Sequence, residues 1–231
     1  MVAFQPSSAP QVAAALKVHP RTARRLLNRL VEDGWLRRSD GRKPLYAPTM
    51  RIVALAAQLT ARAPVVRFGA EVAADLHARS GLAVHLAVPS YRCALRLLRV
   101  GEPHGLSTGR DLAPVHAVAA GKVLLAHRHP WREHLLTREL ERVTEATIVD
   151  ADVIQVQAAS TRERGFAVEE AEYRTEGRAV GAPVTDLYGE VVAALAVSGP
   201  PDELADIDAV AADVMAASSE LSHRVVTGSP T

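Results

Sequence analysis

Apolar residues recur at helical spacing through the first third of the chain and gather into strand-like runs from about Leu82 onward. The segment PQVAAALKV places Val12, Ala15 and Leu16 on one helical face behind Pro10, which suits a first turn. A second helix is predicted to open near Pro20, where Ala23, Leu26, Leu27, Leu30 and Val31 form the stripe of an amphipathic helix. Gly34 can close it. Trp35-Leu36 and Leu45-Tyr46 flank Asp40-Gly41, a pair that favours a two-residue hairpin turn. Ile52, Val53, Leu55, Ala56 and Leu59 lie at helical spacing between Pro48 and Pro64. They predict a linker helix whose apolar face has too little of its own domain to cover and is expected to meet a second copy.

A further helix is predicted from about Val66 to Arg79, stopping at Ser80-Gly81. LAVHLAV and YRCALRLLRV then read as strands with Pro89-Ser90 as their turn. DLAPVHAVAAGKVLLAH reads as a loop entering a helix, and ADVIQVQAASTRERG as a helix ending at Gly165. FAVEEAE is a strand candidate, and GRAVGAPVTDLYGEVVAALAVSGP reads as two strands about a turn at Tyr188-Gly189. The last helix is placed from about Asp202 to Arg224. Strands bracketed by helices predict an α+β fold with an antiparallel sheet.

Charge separates the two regions. Residues 1–63 carry eleven lysines and arginines against three acids, whereas the remainder carries sixteen against twenty-three. A basic module suits a polyanion, because each neutralised phosphate releases counterions; an acidic remainder is repelled by it. On the second helix Arg21, Arg25 and Asn28 point away from the apolar stripe, and Arg37, Arg38, Arg42 and Lys43 crowd the hairpin. Short helix, turn, basic helix and basic hairpin form the order of a winged helix-turn-helix, whose second helix enters the major groove. Arginine and asparagine can read base edges, so Arg21, Arg25 and Asn28 are candidates for that role. Arg24 and Arg29 flank them and suit phosphates or packing; Thr22 completes the candidate DNA-binding set. The alternative is a solvated charged face, but the hairpin repeats the same bias. A helix before this pair is expected, yet only MVAFQPSSA precedes it. Val2, Ala3 and Phe4 resemble the end of such a helix, so the expectation is a start further upstream or a stub.

Several other chemistries fail. AAGKV resembles the end of a phosphate loop, but His116 stands where glycine is needed and Val123 where serine or threonine is needed. His127, His129 and His134 lack a cysteine or well-spaced carboxylate to complete a metal site, and they read as surface histidines. Cys93, the single cysteine, reads as a buried structural thiol. No nucleophile-base pair is evident, and no cofactor is expected. With no membrane-length apolar run and no signal-like start, a cytoplasmic protein with no membrane partner is expected.

The chain resembles the IclR family of bacterial transcriptional regulators. RTARRLLNRLVEDGWLRRSDGR matches a pattern of recognition helix, Gly-aromatic-Leu and Asp-Gly wing, and PVHAVAAGKVLLA matches Pro-x-His-Ala-x-x-x-Gly-Lys-x-Leu-Leu-Ala. RERGFAVEEAE and APVTDLYGEVVAALAVSGP agree in order and spacing. The resemblance implies a winged helix-turn-helix over residues 1–48, a linker helix over 49–63 and a GAF-like effector-binding domain over 64–228. It implies pairing through the first domain and linker, as a homodimer or dimer of dimers, on a double-stranded DNA operator that is expected to be palindromic. It also implies a small-molecule effector, an organic acid or aromatic catabolite. The pocket positions carried over are Ala119, Ala120, Gly121, Glu169, Ala179, Ala196 and Ser198. Ala179 stands where many relatives have cysteine, and Ala196 where many have serine. With these hydroxyl and thiol groups gone, and Glu169 present, the expected effector is more apolar or neutral than a small keto acid unless Arg174 or Arg178 turns inward. A sensor that has lost DNA binding and works through partner proteins is the other expectation.

Overall fold

The structure, a computed structural model, describes residues 6–101 and 112–228, without the side chains of residues 60–62. Its contacts divide into two units, Met1–Arg62 and Ala63–Thr231, so the linker helix groups with the first. The predicted helix end at Val2, Ala3 and Phe4 lies outside the described residues.

The first unit begins with strand β1 (Ser7–Ser8) and helix α1 (Ala9–Leu16). Gln11 accepts the Ser8 backbone N–H, which ties the helix start, and Lys17 ends the helix with φ +52°. Helix α2 (Pro20–Glu32) starts with proline where no amide is needed, while His19 accepts from the Arg21 N–H. Ala23 and Leu27 are buried, and Leu27 packs with Ala9 and Tyr46. Leu26 and Leu30, placed in the same stripe by sequence, are instead exposed, as is Leu16. Among the described residues no element lies over that flank, so only half of the apolar stripe has a partner.

Strands β2 (Leu36–Arg38) and β3 (Leu45–Pro48) pair antiparallel, with β1 on the far side of β3. The connection is longer than the predicted two-residue turn. Arg38 faces Tyr46 across the ladder, and Ser39 closes the loop by accepting the Leu45 N–H on its hydroxyl and donating its own N–H to the Leu45 carbonyl. Asp40-Gly41 thus sits at the outer part of a six-residue loop, residues 39–44. Helix α3 (Met50–Arg62) follows, and Met50, Ile52, Val53, Leu55 and Leu59 are all exposed on it. Its first turn is fixed to the end of α2: Thr49 donates to the Gly34 carbonyl at 2.7 Å, and Arg51 lies 4.6 Å over the Trp35 ring.

The second unit opens with helix α4 (Pro64–Ser80), which ends at Gly81 with φ +70°. A six-stranded antiparallel sheet is built from β4 (Ala83–Ser90), β5 (Cys93–Val100), β6 (Leu112–Pro114), β7 (Ala167–Glu170), β8 (Arg178–Thr185) and β9 (Val191–Gly199). The strand order is β6-β5-β4-β9-β8-β7. Pro89 and Ser90, expected to turn, remain in β4 and pair with Ala94 and Cys93; the turn is Tyr91-Arg92, with Tyr91 at φ +53°.

Helices lie on both faces. Helix α4 and the last helix, α8 (Ile207–Thr227), cover one face through Val72, Leu76, Val214 and Leu221 against Val84, Leu86, Leu195 and Val197. Helix α8 begins later than expected, because residues 201–204 form a turn and Asp206 caps the helix through the Ala209 N–H. The other face carries α5 (Ala119–His127), α6 (His129–Leu136), which the sequence reading did not anticipate, and α7 (Ala151–Arg164), which stops at Gly165. His127 is half-buried rather than at the surface, and burial lowers its pKa, with Arg162 adding to the effect. Cys93 is also half-buried, and burial raises its thiol.

Side-chain size is sorted across the sheet. In β9, Leu195 and Val197 point to α4 and α8, while Ala194, Ala196 and Ser198 point to the opposite face. Gly121 allows α5 to start against the preceding turn: a Cβ there would lie 2.0 Å from the Val115 carbonyl oxygen. Since backbone cannot yield as a side-chain tip does, Gly121→Ala should destabilise the second unit by about 3 kcal/mol or more. Urea unfolding read by circular dichroism checks this, and a change below about 1 kcal/mol would refute the close packing.

Candidate functional site

The arginines of α2 are exposed. Arg21, Arg24, Arg25 and Arg29 line a shallow groove along α2 together with His19, Thr22 and Asn28. Among the described residues Arg21, Arg24 and Arg25 meet no acid, whereas Arg29 faces Glu32 at 3.6 Å and Asp33 at 3.3 Å. Asn28 is half-buried and accepts the Tyr46 hydroxyl at 3.0 Å. One of its two acceptor positions is therefore engaged in holding α2 to β3, so it has a packing role that the sequence reading did not assign. Arg37, Arg38, Arg42 and Lys43 are exposed along the hairpin. Lysine and arginine on both elements can meet phosphates, and arginine can also read guanine.

In the second unit, a cavity of about 700 Å³ lies on the small-residue face of the sheet. Ala119, Ala120, Glu169, Ala179, Ala196 and Ser198 all line it, so six of the seven predicted pocket positions are gathered in one place. Gly121 does not reach the lining; it serves the packing of α5. Gly181 brings β8 close beneath the helix start, since a Cβ there would come within 3.1 Å of the Ala119 carbonyl carbon.

Residues that the sequence reading missed supply most of the polarity. His85 on β4 shares a 2.8 Å hydrogen bond between its Nε2 and the Ser198 hydroxyl. Arg96 on β5 lines the cavity, lies 5.6 Å over the Tyr173 ring and donates to its hydroxyl at 3.3 Å. Arg174 is exposed at the rim, and the Arg178 guanidinium is held by Glu170 and by the Leu204 carbonyl. The inward cation is thus Arg96 and not either of those two. β5 also holds Arg99, and only a bulge, the register shift that leaves Leu97 as an extra residue in β5, turns Arg96 to the cavity.

The β7–β8 connection, residues 171–177, forms one wall of the cavity and is tied down from several sides. Glu169 accepts the backbone N–H groups of Glu172 and Tyr173 at 2.7 and 3.0 Å. Thr147 donates to the Glu172 carbonyl at 2.7 Å, and Thr144 to the Ala171 carbonyl at 2.7 Å. The Glu172 carboxylate pairs with Lys122 in the interior, where both side chains are almost fully covered. The Gly-Lys of the helix-entry motif therefore belongs to a clamp. His116 of the same motif is buried and bonds the Glu141 carbonyl at 2.9 Å, and burial holds its pKa below the usual histidine range. Burial pushes the Glu169 carboxyl up to about 7, against the two backbone N–H groups that favour its charged form.

Residues 57–223 match the family model described as bacterial transcriptional regulator IclR C-terminal. The chain belongs to the IclR family. The chain is similar to the HTH-type transcriptional regulator BhcR of Paracoccus denitrificans, at 39% identity over 113 residues, which is 47% of this chain and 40% of that protein. The chain therefore matches less than half the length of that relative. It is similar in fold to an IclR transcriptional regulator from Silicibacter, with TM-score 0.82, 21% identity and coverage of 94% of this chain and 88% of that one. An IclR homolog from Microbacterium hydrocarbonoxydans, solved complexed with 4-hydroxybenzoate, aligns with TM-score 0.75 and 22% identity over 99% of this chain and 95% of that one. Among the described residues no helix is long and apolar enough to cross a membrane, and no group of three or more metal-binding side chains occurs.

Two outcomes follow from this geometry. Lys122→Met leaves Glu172 buried without its cation and should cost about 3–5 kcal/mol, with the double variant Lys122→Met/Glu172→Gln recovering most of it. Denaturant titration of all three proteins measures this. Glu169 has a folded pKa of about 7 against an ordinary value of 4.5, so its contribution is fully present below pH 4.5 and is lost as pH rises through 7. Glu169→Gln keeps the acceptor oxygen without the charge. It should match the wild type at pH 4.5 and exceed it by up to about 3 kcal/mol at pH 8, as read by urea midpoints at the two values.

Proposed function

We propose that the chain is a DNA-binding transcriptional regulator whose affinity for an operator is set by a small molecule held in the second unit's cavity. The observation that carries this reading is the joint presence of three exposed arginines on one helix, without acidic partners among the described residues, a basic hairpin beyond it, and a separate acidic unit built around a cavity. Membership of the IclR family supports it, and the 4-hydroxybenzoate complex of the Microbacterium relative supports the cavity as a ligand site.

Each part has a physical role. Arg21, Arg24 and Arg25 neutralise phosphates or bind guanine edges, while the hairpin's Arg37, Arg38, Arg42 and Lys43 follow the backbone. The acidic second unit is repelled by the same DNA, which favours approach through α2. The exposed Met50, Ile52, Val53, Leu55 and Leu59 on α3 suit pairing with a second copy, and a two-fold pair reads two half-sites. A ligand that prefers one arrangement of the pair shifts the DNA affinity by its differential affinity for the two arrangements, and the coupling is reciprocal. The effector class is an organic acid or aromatic compound. Family membership favours regulation without catalysis, and in this reading the His85–Ser198 hydrogen bond belongs to the ligand site.

Fluorescence anisotropy with the intergenic DNA beside the chain's own gene, across a salt series, tests this. Specific binding should weaken steeply with salt, at a slope of roughly −0.9 per phosphate contacted. Arg25→Ala should weaken binding by about tenfold or more. Arg29→Ala, whose charge Glu32 and Asp33 already answer, should change it by less than about threefold. Binding that ignores salt, or equal losses for the two variants, would contradict the assignment.

A further inference from the structure

Arg21, Arg24, Arg25 and Asn28 fall at the spacing i, i+3, i+4 and i+7, which puts them on one face of α2. All four line the groove along that helix. Asn28 differs from the three arginines in chemistry. Its amide has a donor end and an acceptor end, and the end that meets DNA decides which base it can read. A free asparagine pairs with adenine through both ends at once, the oxygen accepting from N6 and the nitrogen donating to N7.

The Asn28 amide is not free to turn in this way. The Tyr46 hydroxyl donates to its Oδ1 at 3.0 Å. Tyr46 lies on β3, the middle strand of its sheet, and pairs with Ser7 on one side and Arg38 on the other. Its side chain is buried and packs with Ala9 and Leu27. The hydroxyl therefore cannot follow a rotating amide, and it holds Oδ1 toward β3. Among the described residues nothing accepts from the Asn28 Nδ2. Asn28 is only half-buried, so this donor end is the one left for a base in the groove. A donor without its acceptor fits guanine, whose O6 and N7 both accept. It fits adenine less well, because the N6 amino group there donates beside N7.

We propose that Tyr46 sets part of the sequence preference: by holding the Asn28 carbonyl it makes Asn28 a donor-only reader, which selects guanine over adenine at one position of each half-site. This rests on the reading of the first unit as a DNA-binding module given above. Tyr46 is a positioning residue, since it is itself buried and acts through Asn28.

Selection from a pool of randomised DNA duplexes by the full chain tests this, with wild type, Asn28→Ala and Tyr46→Phe compared by sequencing the bound fraction. Asn28→Ala should flatten the base preference at one position of the half-site, which marks the contacted base pair. There the wild type should favour guanine over adenine by about fivefold or more. Tyr46→Phe frees the amide for the paired contact, so adenine should be enriched at that position. Preferences elsewhere and the salt slope should stay as in the wild type, which shows that the variant is folded. A purely structural tyrosine would instead weaken binding to all sequences alike. Asn28→Asp keeps the acceptor for Tyr46 and removes the donor; it should exchange guanine for cytosine, and it decides the matter if Tyr46→Phe does not fold. Any base but guanine in the wild type, or a preference that neither Tyr46→Phe nor Asn28→Asp moves, would overturn the donor-only reading. No flattened position with Asn28→Ala would overturn Asn28 as a base reader and leave DNA binding intact. Failure of the wild type to retain any duplex above background would overturn both.

Discussion

The buried pair between Lys122 and Glu172 joins the first turn of α5 to the loop between β7 and β8, and the rest of the second unit is arranged around it. Removing two charges from water is costly, and their attraction offsets that cost only when geometry and neighbouring hydrogen bonds are good. Here the loop also receives bonds from Thr144 and Thr147 and gives two N–H groups to Glu169. Such a pair is weak evidence for extra stability but a strong constraint on position. With the loop fixed, Tyr173 is fixed, and with it the plane of Arg96. Gly121 contributes by letting α5 begin against the Val115 carbonyl, which sets Lys122 at the right depth.

The sheet supplies the space that this clamp encloses. Large aliphatic side chains fill the α4 and α8 side, and alanines occupy the α5 side. Dispersion and burial of the first set hold the unit together, while the second set leaves room over the strands. A fold can carry a cavity of about 700 Å³ on one face because the opposite face holds most of its large buried side chains. Polar groups are then added to the cavity with few residues: one arginine, one histidine-serine pair and one buried acid.

Much of the element order was legible in the sequence, for definite reasons. The stripe of α2, the proline-bounded α3, the strands of the C-terminal half and the stop at Gly165 each carry a local periodic or turn signal. The misses arise where tertiary context overrides a local rule. Asp40-Gly41 favours a tight turn, but Ser39 bonding to Leu45 sets a wider loop. Pro89 reads as a breaker, yet the chain reverses at Tyr91-Arg92, after both residues of the expected turn. Leu26 and Leu30 follow the helical stripe and are still exposed, because periodicity reports which residues share a face and not what covers it. The motif resemblance brought six of seven pocket positions to one cavity, but Arg96 lay beyond reach, since a bulge is invisible to alternation. Lys122 and Glu172 are fifty residues apart, and only the fold makes them partners.

The shape of the cavity depends on the clamp, and native-state hydrogen exchange addresses the clamp directly. The amides of Glu172 and Tyr173 sit in a loop, where exchange is ordinarily fast, yet they donate to a buried carboxylate beside a buried ion pair. Both are expected to exchange within about tenfold of the slow amides in β9. Exchange as fast as at the exposed turn of Leu187 and Tyr188 would contradict it, since the loop would then open independently of the core.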